Sequence, residues 1–206
     1  MKPGPLAYFF DMQTLTVDAR ARALIFDVDG TLADSMPVHF IAWKKSCDKR
    51  GIEFTEEKFY QLAGVPSPVI CMMLMGKESP DAESNAMAEE KENYYLDLIH
   101  TIKPIKPVVE IVKRYHGILP MAAGSGSPRE AVKITIEALG LKECFDAVVS
   151  FEDVANPKPA PDTFLQCARL MNIEPAFCQV FEDGDPGLVA AKAAGMIATD
   201  VRPFLK

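Results

Sequence analysis

The sequence predicts an α/β protein: a doubly wound, Rossmann-like parallel sheet interrupted by an inserted helical cap. Three observations carry this expectation. An apolar run, Ala23-Leu24-Ile25-Phe26, stops abruptly at Asp27-Val28-Asp29-Gly30-Thr31, as a buried strand does at the carboxyl edge of a sheet. From residue 106 onward, helical periods alternate with short apolar runs, the pattern of βαβ units and parallel pairing. Between residues 35 and 105 the pattern is helical throughout, with no strand candidate. The expected organisation is therefore an α/β core from residues 1–34 and 106–206, and a helical cap from residues 35–105.

Taken in order, residues 6–10 (Leu-Ala-Tyr-Phe-Phe) suit a short strand and 14–22 a polar connection; no function attaches to either. The central strand follows over 23–28. Residues 38–50 form a helix stopped by Gly51; Thr55 starts a second, with Phe59, Tyr60, Leu62 and Ala63 as its apolar face and Gly64 as its end. Pro66 opens a third, and Met87, Tyr94, Tyr95, Leu98 and Ile99 recur at helical spacing through a long helix over 82–102. The alternation then resumes with helix 108–116, strand 118–123, helix 128–139, strand 146–150, helix 161–171, strand 179–181, helix 187–194 and strand 197–201. Ser127 is expected to cap the 128–139 helix, with Pro128 in its first turn and Gly140 behind it.

Composition narrows the partners. At 206 residues the chain suits one domain or a domain with a sizeable insertion, and a 49% hydrophobic, 25% charged make-up is that of a soluble globular protein. A formal net charge of −7 argues against nucleic acid or an anionic membrane surface, so attraction for any anionic ligand must be local. Cys47, Cys71, Cys144, Cys167 and Cys178 are odd in number, with no paired spacing, which points to reduced thiols rather than disulfides or zinc. No apolar run approaches a membrane span, and the start lacks the pattern of a signal peptide. A cytoplasmic monomer is expected.

The chemistry gathers at strand ends. Parallel strands align their carboxyl edges, so Asp27 and Asp29, the Ser125-Gly126-Ser127 turn, the region of Lys158, and Glu182-Asp183 should meet on one rim. Two acids as close as Asp27 and Asp29 repel unless a cation or a proton lies between them. Carboxylate oxygens with few imidazoles and no thiolates suit a hard cation, Mg²⁺ above others. The Ser125–Ser127 turn at a helix N-terminus offers N–H and hydroxyl donors to a phosphate, Thr31 offers another hydroxyl, and Lys158 a point charge. Each piece alone also reads as an ordinary turn, cap or solvated lysine; their shared edge is what joins them.

Asp27-Val28-Asp29-Gly30-Thr31, Gly124-Ser125-Gly126-Ser127, Lys158-Pro159-Ala160-Pro161-Asp162 and Phe181-Glu182-Asp183 resemble, in order and spacing, the four motifs of the haloacid dehalogenase superfamily. The cap's position after the first motif is similar to that of the β-phosphoglucomutase-like branch. His39-Phe40-Ile41-Ala42-Trp43 and the ending near Asp200-Val201-Arg202 resemble its fructose-1-phosphatase-like members. The resemblance implies a Mg²⁺-dependent phosphatase of small phosphorylated metabolites acting through an aspartyl-phosphate. Asp27 would be nucleophile and Asp29 acid and base. Asp27, the Asp29 carbonyl and Asp183 would hold the metal, with Glu182 assisting. Ser125, Gly126, Thr31 and Lys158 would hold the phosphoryl group, with Lys158 keeping Asp27 ionised. His39 would touch substrate or Asp29, although a lone helical histidine beside Trp43 is otherwise an ordinary core residue.

Three other readings compete. A sugar phosphomutase needs a second phosphate site, usually an arginine just after the cap's Gly-Val pair, whereas here Gly64-Val65 is followed by Pro66-Ser67-Pro68. A dehalogenase uses no metal and lacks the second aspartate, so Asp29 counts against it. A phospho-acceptor signalling module shares acids, hydroxyl and lysine, but it is shorter and has no cap.

Overall fold

The computed structural model describes residues 14–62, 65–79 and 81–205. The strand expected over 6–10 lies outside the described residues, as do Ala63 and Gly64 at the end of the second helix. Five strands, β1 (Ala23–Phe26), β2 (Met121–Gly124), β3 (Ala147–Val149), β4 (Cys178–Glu182) and β5 (Ile197–Asp200), form one parallel sheet in the order β3-β2-β1-β4-β5. The chain leaves β1 toward β2 and β3, then crosses back to β4 and β5 on the other side. That reversal at β1 creates the crevice in which ligands of such sheets bind.

The apolar run of β1 is continuous because both faces of the sheet are covered. Leu24 and Phe26 pack with Val108, Val112, Val132 and Ile136, on α5 (Lys106–Tyr115) and α6 (Arg129–Ala138). Ala23 and Ile25 pack on the opposite face with Phe164, Cys167, Ala190 and Ala191, on α7 (Asp162–Met171) and α8 (Asp185–Ala193). Phe26 stacks on Phe181 with ring centroids 4.9 Å apart. Full burial of each such side chain contributes about 1.5–3 kcal/mol, so this centre fixes the level of the rim above it.

Between β1 and β2 lie α1 (Met36–Asp48), α2 (Glu56–Gln61), α3 (Ser67–Leu74) and α4 (Ala82–Leu98). They enclose their own apolar cluster, including Trp43, Cys47, Phe54, Phe59, Ile70 and Met87. The chain enters and leaves this cap through a paired neck: Asp34 N–H donates to the Lys103 carbonyl and Ile105 N–H to that of Leu32, both at 2.9 Å. The helix expected to run to 102 ends at Leu98, and a 3₁₀ turn, Ile99–Thr101, turns the chain into the neck. No helix among the described residues is long and apolar enough to cross a membrane.

One expected cap is overturned. Pro128, not Ser127, occupies the N-cap of α6, and no side-chain bond of its own closes that helix start. The Glu152 carboxylate, arriving from the loop after β3, accepts the Arg129 N–H instead (2.9 and 3.2 Å). A distant anion satisfies the orphan donor of the first turn, and Ser127 is left for other work.

Candidate active site

The register brings the strand ends together. Phe26 lies opposite both Ala123 and Phe181, so Asp27, the Gly124–Ser127 turn and Glu182-Asp183 open onto one rim. Asp27 N–H continues the ladder to the Phe181 carbonyl at 3.0 Å. After Val28 the chain turns sharply: the Val28 carbonyl accepts N–H groups from Leu32 and Ala33 at 3.0 and 2.9 Å. Gly30 makes this turn with φ of +89°, and a Cβ there would overlap the Asp183 carboxylate, so two separate demands require glycine.

The two aspartates of β1 fall into different surroundings. Lys158 Nζ lies 2.6 Å from Asp27 Oδ1 and 2.8 Å from Glu182 Oε2, and 4.6 Å above the Phe164 ring. All three ionic partners are buried. Burial first, then the Glu182 charge, push the Asp27 carboxyl up to about 7, against the pull of Lys158. Asp183 is likewise pushed up to about 7, by burial and by the Asp27 charge, while the Thr31 hydroxyl donates to its Oδ1 at 2.9 Å. Glu182 is raised chiefly by burial, and its Oε1 accepts the Gly184 N–H. Lys158 is raised despite burial, because the Asp27 and Glu182 charges outweigh it. Lys158 draws Asp27 toward its ionised form, against burial and the Glu182 charge.

Asp29 is the reverse case. Its Oδ1 accepts from the Ser35 hydroxyl (2.7 Å) and lies 3.0 Å from His39 Nε2; its Oδ2 accepts from Ser127 (2.7 Å), with Ser125 Oγ at 3.3 Å. Burial works against ionisation, but His39 and the Ser35 and Ser127 hydroxyls outweigh it and hold this carboxyl far below its usual range. His39 Nδ1 is 3.0 Å from Lys91 Nζ, itself 2.9 Å from Glu92 Oε1. The imidazole thus bridges Asp29 and Lys91 through its two ring nitrogens.

Asp27, Glu182 and Asp183 each place a carboxylate oxygen within 4.8 Å of the other two. Two buried acids and a half-buried one, each raised by a neighbouring carboxylate and all hard oxygen donors, fit a divalent cation such as Mg²⁺. The Asp29 carboxylate stands outside this trio, engaged with its serines and His39.

A cleft of about 150 Å³ opens over the rim. Its core wall carries Asp27, Asp29, Ser125, Gly126, Lys158 and Asp183; its cap wall carries His39 and Lys91 among Trp43, Phe59 and Ile70. Every residue singled out in the sequence lines it except Thr31, which is wholly buried behind Asp183. Sequence reasoning missed Lys91, and gave Ser35 and Ser127 no role at Asp29. Lys91 does leave a trace: the buried stripe of α4 runs Ser84, Met87, Ala88, Lys91, Tyr95, and a lysine inside such a stripe needs a buried partner.

A family model described as haloacid dehalogenase-like hydrolase matches residues 21–195. Over 184 residues the chain is 41% identical to the fructose-1-phosphate phosphatase YqaB of Escherichia coli (strain K12), covering 89% of this chain and 97% of that protein. It is 31% identical to β-phosphoglucomutase of Bacillus subtilis (strain 168), covering 87% and 83%. The crystal structure of β-phosphoglucomutase from Clostridium difficile superposes with a TM-score of 0.77 at 27% identity, covering 87% of this chain and 84% of that one. With its doubly wound sheet, its acidic rim and a family match over most of its length, the chain belongs to the haloacid dehalogenase-like hydrolases.

Proposed function

We propose that this hydrolase removes the phosphate from small sugar phosphates through an aspartyl-phosphate on Asp27. The observation that carries the reading is the split between the two β1 carboxylates. Asp27 faces Lys158 and the acidic trio, while Asp29 is held apart by Ser35, His39 and Ser127. Two neighbouring carboxylates in opposed surroundings are suited to two roles.

In the first step an Asp27 oxygen attacks phosphorus and the bond from phosphorus to the sugar oxygen breaks. Asp29, ionised in the free protein, takes up a proton as the anionic phosphate ester binds beside it and gives that proton to the departing oxygen. In the second, Asp29 takes a proton from water as that water attacks phosphorus, and Asp27 is released with inorganic phosphate. Ser125, the Gly126 N–H and Lys158 hold the phosphoryl oxygens, and positioning with charge neutralisation supplies most of the rate. Asp27 and Asp183, with the Asp29 carbonyl and assistance from Glu182, would hold Mg²⁺, which when bound neutralises anionic charge at this rim. His39 and Ser35 keep Asp29 aimed at the cleft.

Likeness to β-phosphoglucomutases favours a second reading, a sugar phosphomutase on the same site. Against it, no arginine is among the described residues lining the cleft. The five cysteines are unpaired, which supports a reducing, cytoplasmic setting.

The test supplies purified protein and Mg²⁺ with fructose 1-phosphate, 6-phosphogluconate, glucose phosphates and a generic aryl phosphate, and measures released phosphate. Release from at least one sugar phosphate is expected, and Asp27→Asn should lower it at least about 10³-fold. No release from any of them, with isomerisation of glucose 1-phosphate, overturns the phosphatase in favour of the mutase.

A further inference from the structure

We infer that the Tyr95–Thr135 hydrogen bond is a positioning contact for the reaction: it sets the plane of His39, and through it the His39–Asp29 bond, by pinning a cap ring to the core helix that follows the phosphate loop. The inference rests on the role given to Asp29 above. Neither residue lines the cleft, so both act through His39.

His39 is held at its edges by Asp29 and Lys91, each 3.0 Å from a ring nitrogen. Two in-plane contacts leave the ring free to tilt about the line joining them. The Tyr95 ring removes that freedom: it lies parallel to the imidazole, 3° between planes and 4.0 Å between centroids. Tyr95 in turn is free to slide unless its far end is fixed; its Oη lies 2.8 Å from Thr135 Oγ1 on the core helix, and the Ser35 hydroxyl at the start of α1 also bonds it. Both residues are only 1% exposed, so neither hydroxyl has water as an alternative partner. A helical threonine hydroxyl commonly bonds back to the preceding turn; here it meets the cap. Ala131, one turn earlier on α6, packs in the same cluster as Tyr95.

The joined element gives the contact its consequence. α6 starts directly after Ser125–Ser127, whose hydroxyls at 125 and 127 face Asp29 Oδ2, while α4 delivers Lys91 and Tyr95 to His39, which meets Oδ1 of the same carboxylate. The Tyr95–Thr135 hydrogen bond thus ties the helix after the phosphate loop to the cap residues that hold His39 against Asp29.

The experiment compares Tyr95→Phe, Thr135→Val, their double variant and Thr135→Ser with the parent protein. It reads kcat and KM on an aryl phosphate and on fructose 1-phosphate with Mg²⁺, the melting temperature, and the ¹⁵N resonances of the His39 ring. The inference expects kcat to fall about 3- to 10-fold in each of the first two with KM within about two-fold. The double variant should be no slower than Tyr95→Phe, because the Tyr95–Thr135 contact is already lost in each single variant. Thr135→Ser should keep kcat within about two-fold of the parent, and the Nε2 resonance should move in Tyr95→Phe. Unchanged kcat in folded Tyr95→Phe and Thr135→Val, whatever their melting temperatures, overturns it; so do losses that multiply in the double variant. If the parent hydrolyses no phosphate ester, the phosphatase reading fails separately. The His39 resonances then decide, and an unmoved Nε2 signal in Tyr95→Phe overturns the inference.

Discussion

Glu182 reaches Lys158 because residue 187 has no side chain. A Cβ on Gly187 would overlap the Glu182 carboxylate, and that carboxylate cannot swing away cheaply, since Lys158 holds one oxygen and the Gly184 N–H the other. Alanine in place of glycine in a helix ordinarily gains about 1 kcal/mol. At this position the overlap opposes the gain, and displacing a buried, doubly held carboxylate costs more, roughly 1–3 kcal/mol. Gly187→Ala is therefore expected to lower both the melting temperature and the rate of phosphate release, measured by thermal denaturation and by the phosphate assay. A more stable, fully active variant would show that Glu182 is not fixed by Lys158.

Helix ends show what a sequence reveals and what it hides. α4 begins with a reciprocal cap: Asp81 accepts the Ser84 N–H at 2.9 Å, and the Ser84 hydroxyl accepts the Asp81 N–H at 2.7 Å. Asp81→Ala should cost about 1 kcal/mol of stability in denaturant titrations and leave kcat within about two-fold, because the cap lies on the outer end of a helix that Met87 and Tyr95 anchor. Elements of this sort were legible in the sequence because their signals are local: a period, a turn residue, a polar residue before a helix. The rim was legible too, since parallel strands must align their ends and Asp27, Ser125 and Asp183 each sit just beyond one, with Lys158 on the loop that leaves β3. Ser127 misled because its local context is that of a cap, and the competing partner, Asp29, is distant in sequence; so is Glu152, which caps α6 in its place. Lys91 and Tyr95 were hidden for the same reason. Their partners His39 and Thr135 lie on other helices, and the angle at which the cap sits on the core is written in no single stretch of chain.

For the whole molecule, the acidic rim ties stability to pH and to metal. Asp27 and Asp183 are each pushed up to about 7 in the folded chain, by burial and by neighbouring charge, from an ordinary value near 3.8. For an acid raised in this way the folded state binds the proton more tightly than the unfolded one. Metal-free stability then falls as pH rises from the unfolded value toward the folded one, and above about 7 the full cost is present. Asp29, held far below its ordinary value, is ionised in both states above about pH 5 and adds nothing to the slope there. A divalent cation bound by the trio reverses the balance, because it attracts the charged forms and competes with protons for the same oxygens. Melting curves with chelator are therefore expected to shift down between pH 5 and pH 8. Added Mg²⁺ should raise the melting temperature more at pH 8 than at pH 5, and Asp183→Asn should abolish most of that difference. A Mg²⁺ effect equal at both values would mean that the ion binds elsewhere than on these carboxylates. One that survived in Asp183→Asn would remove Asp183 from the site.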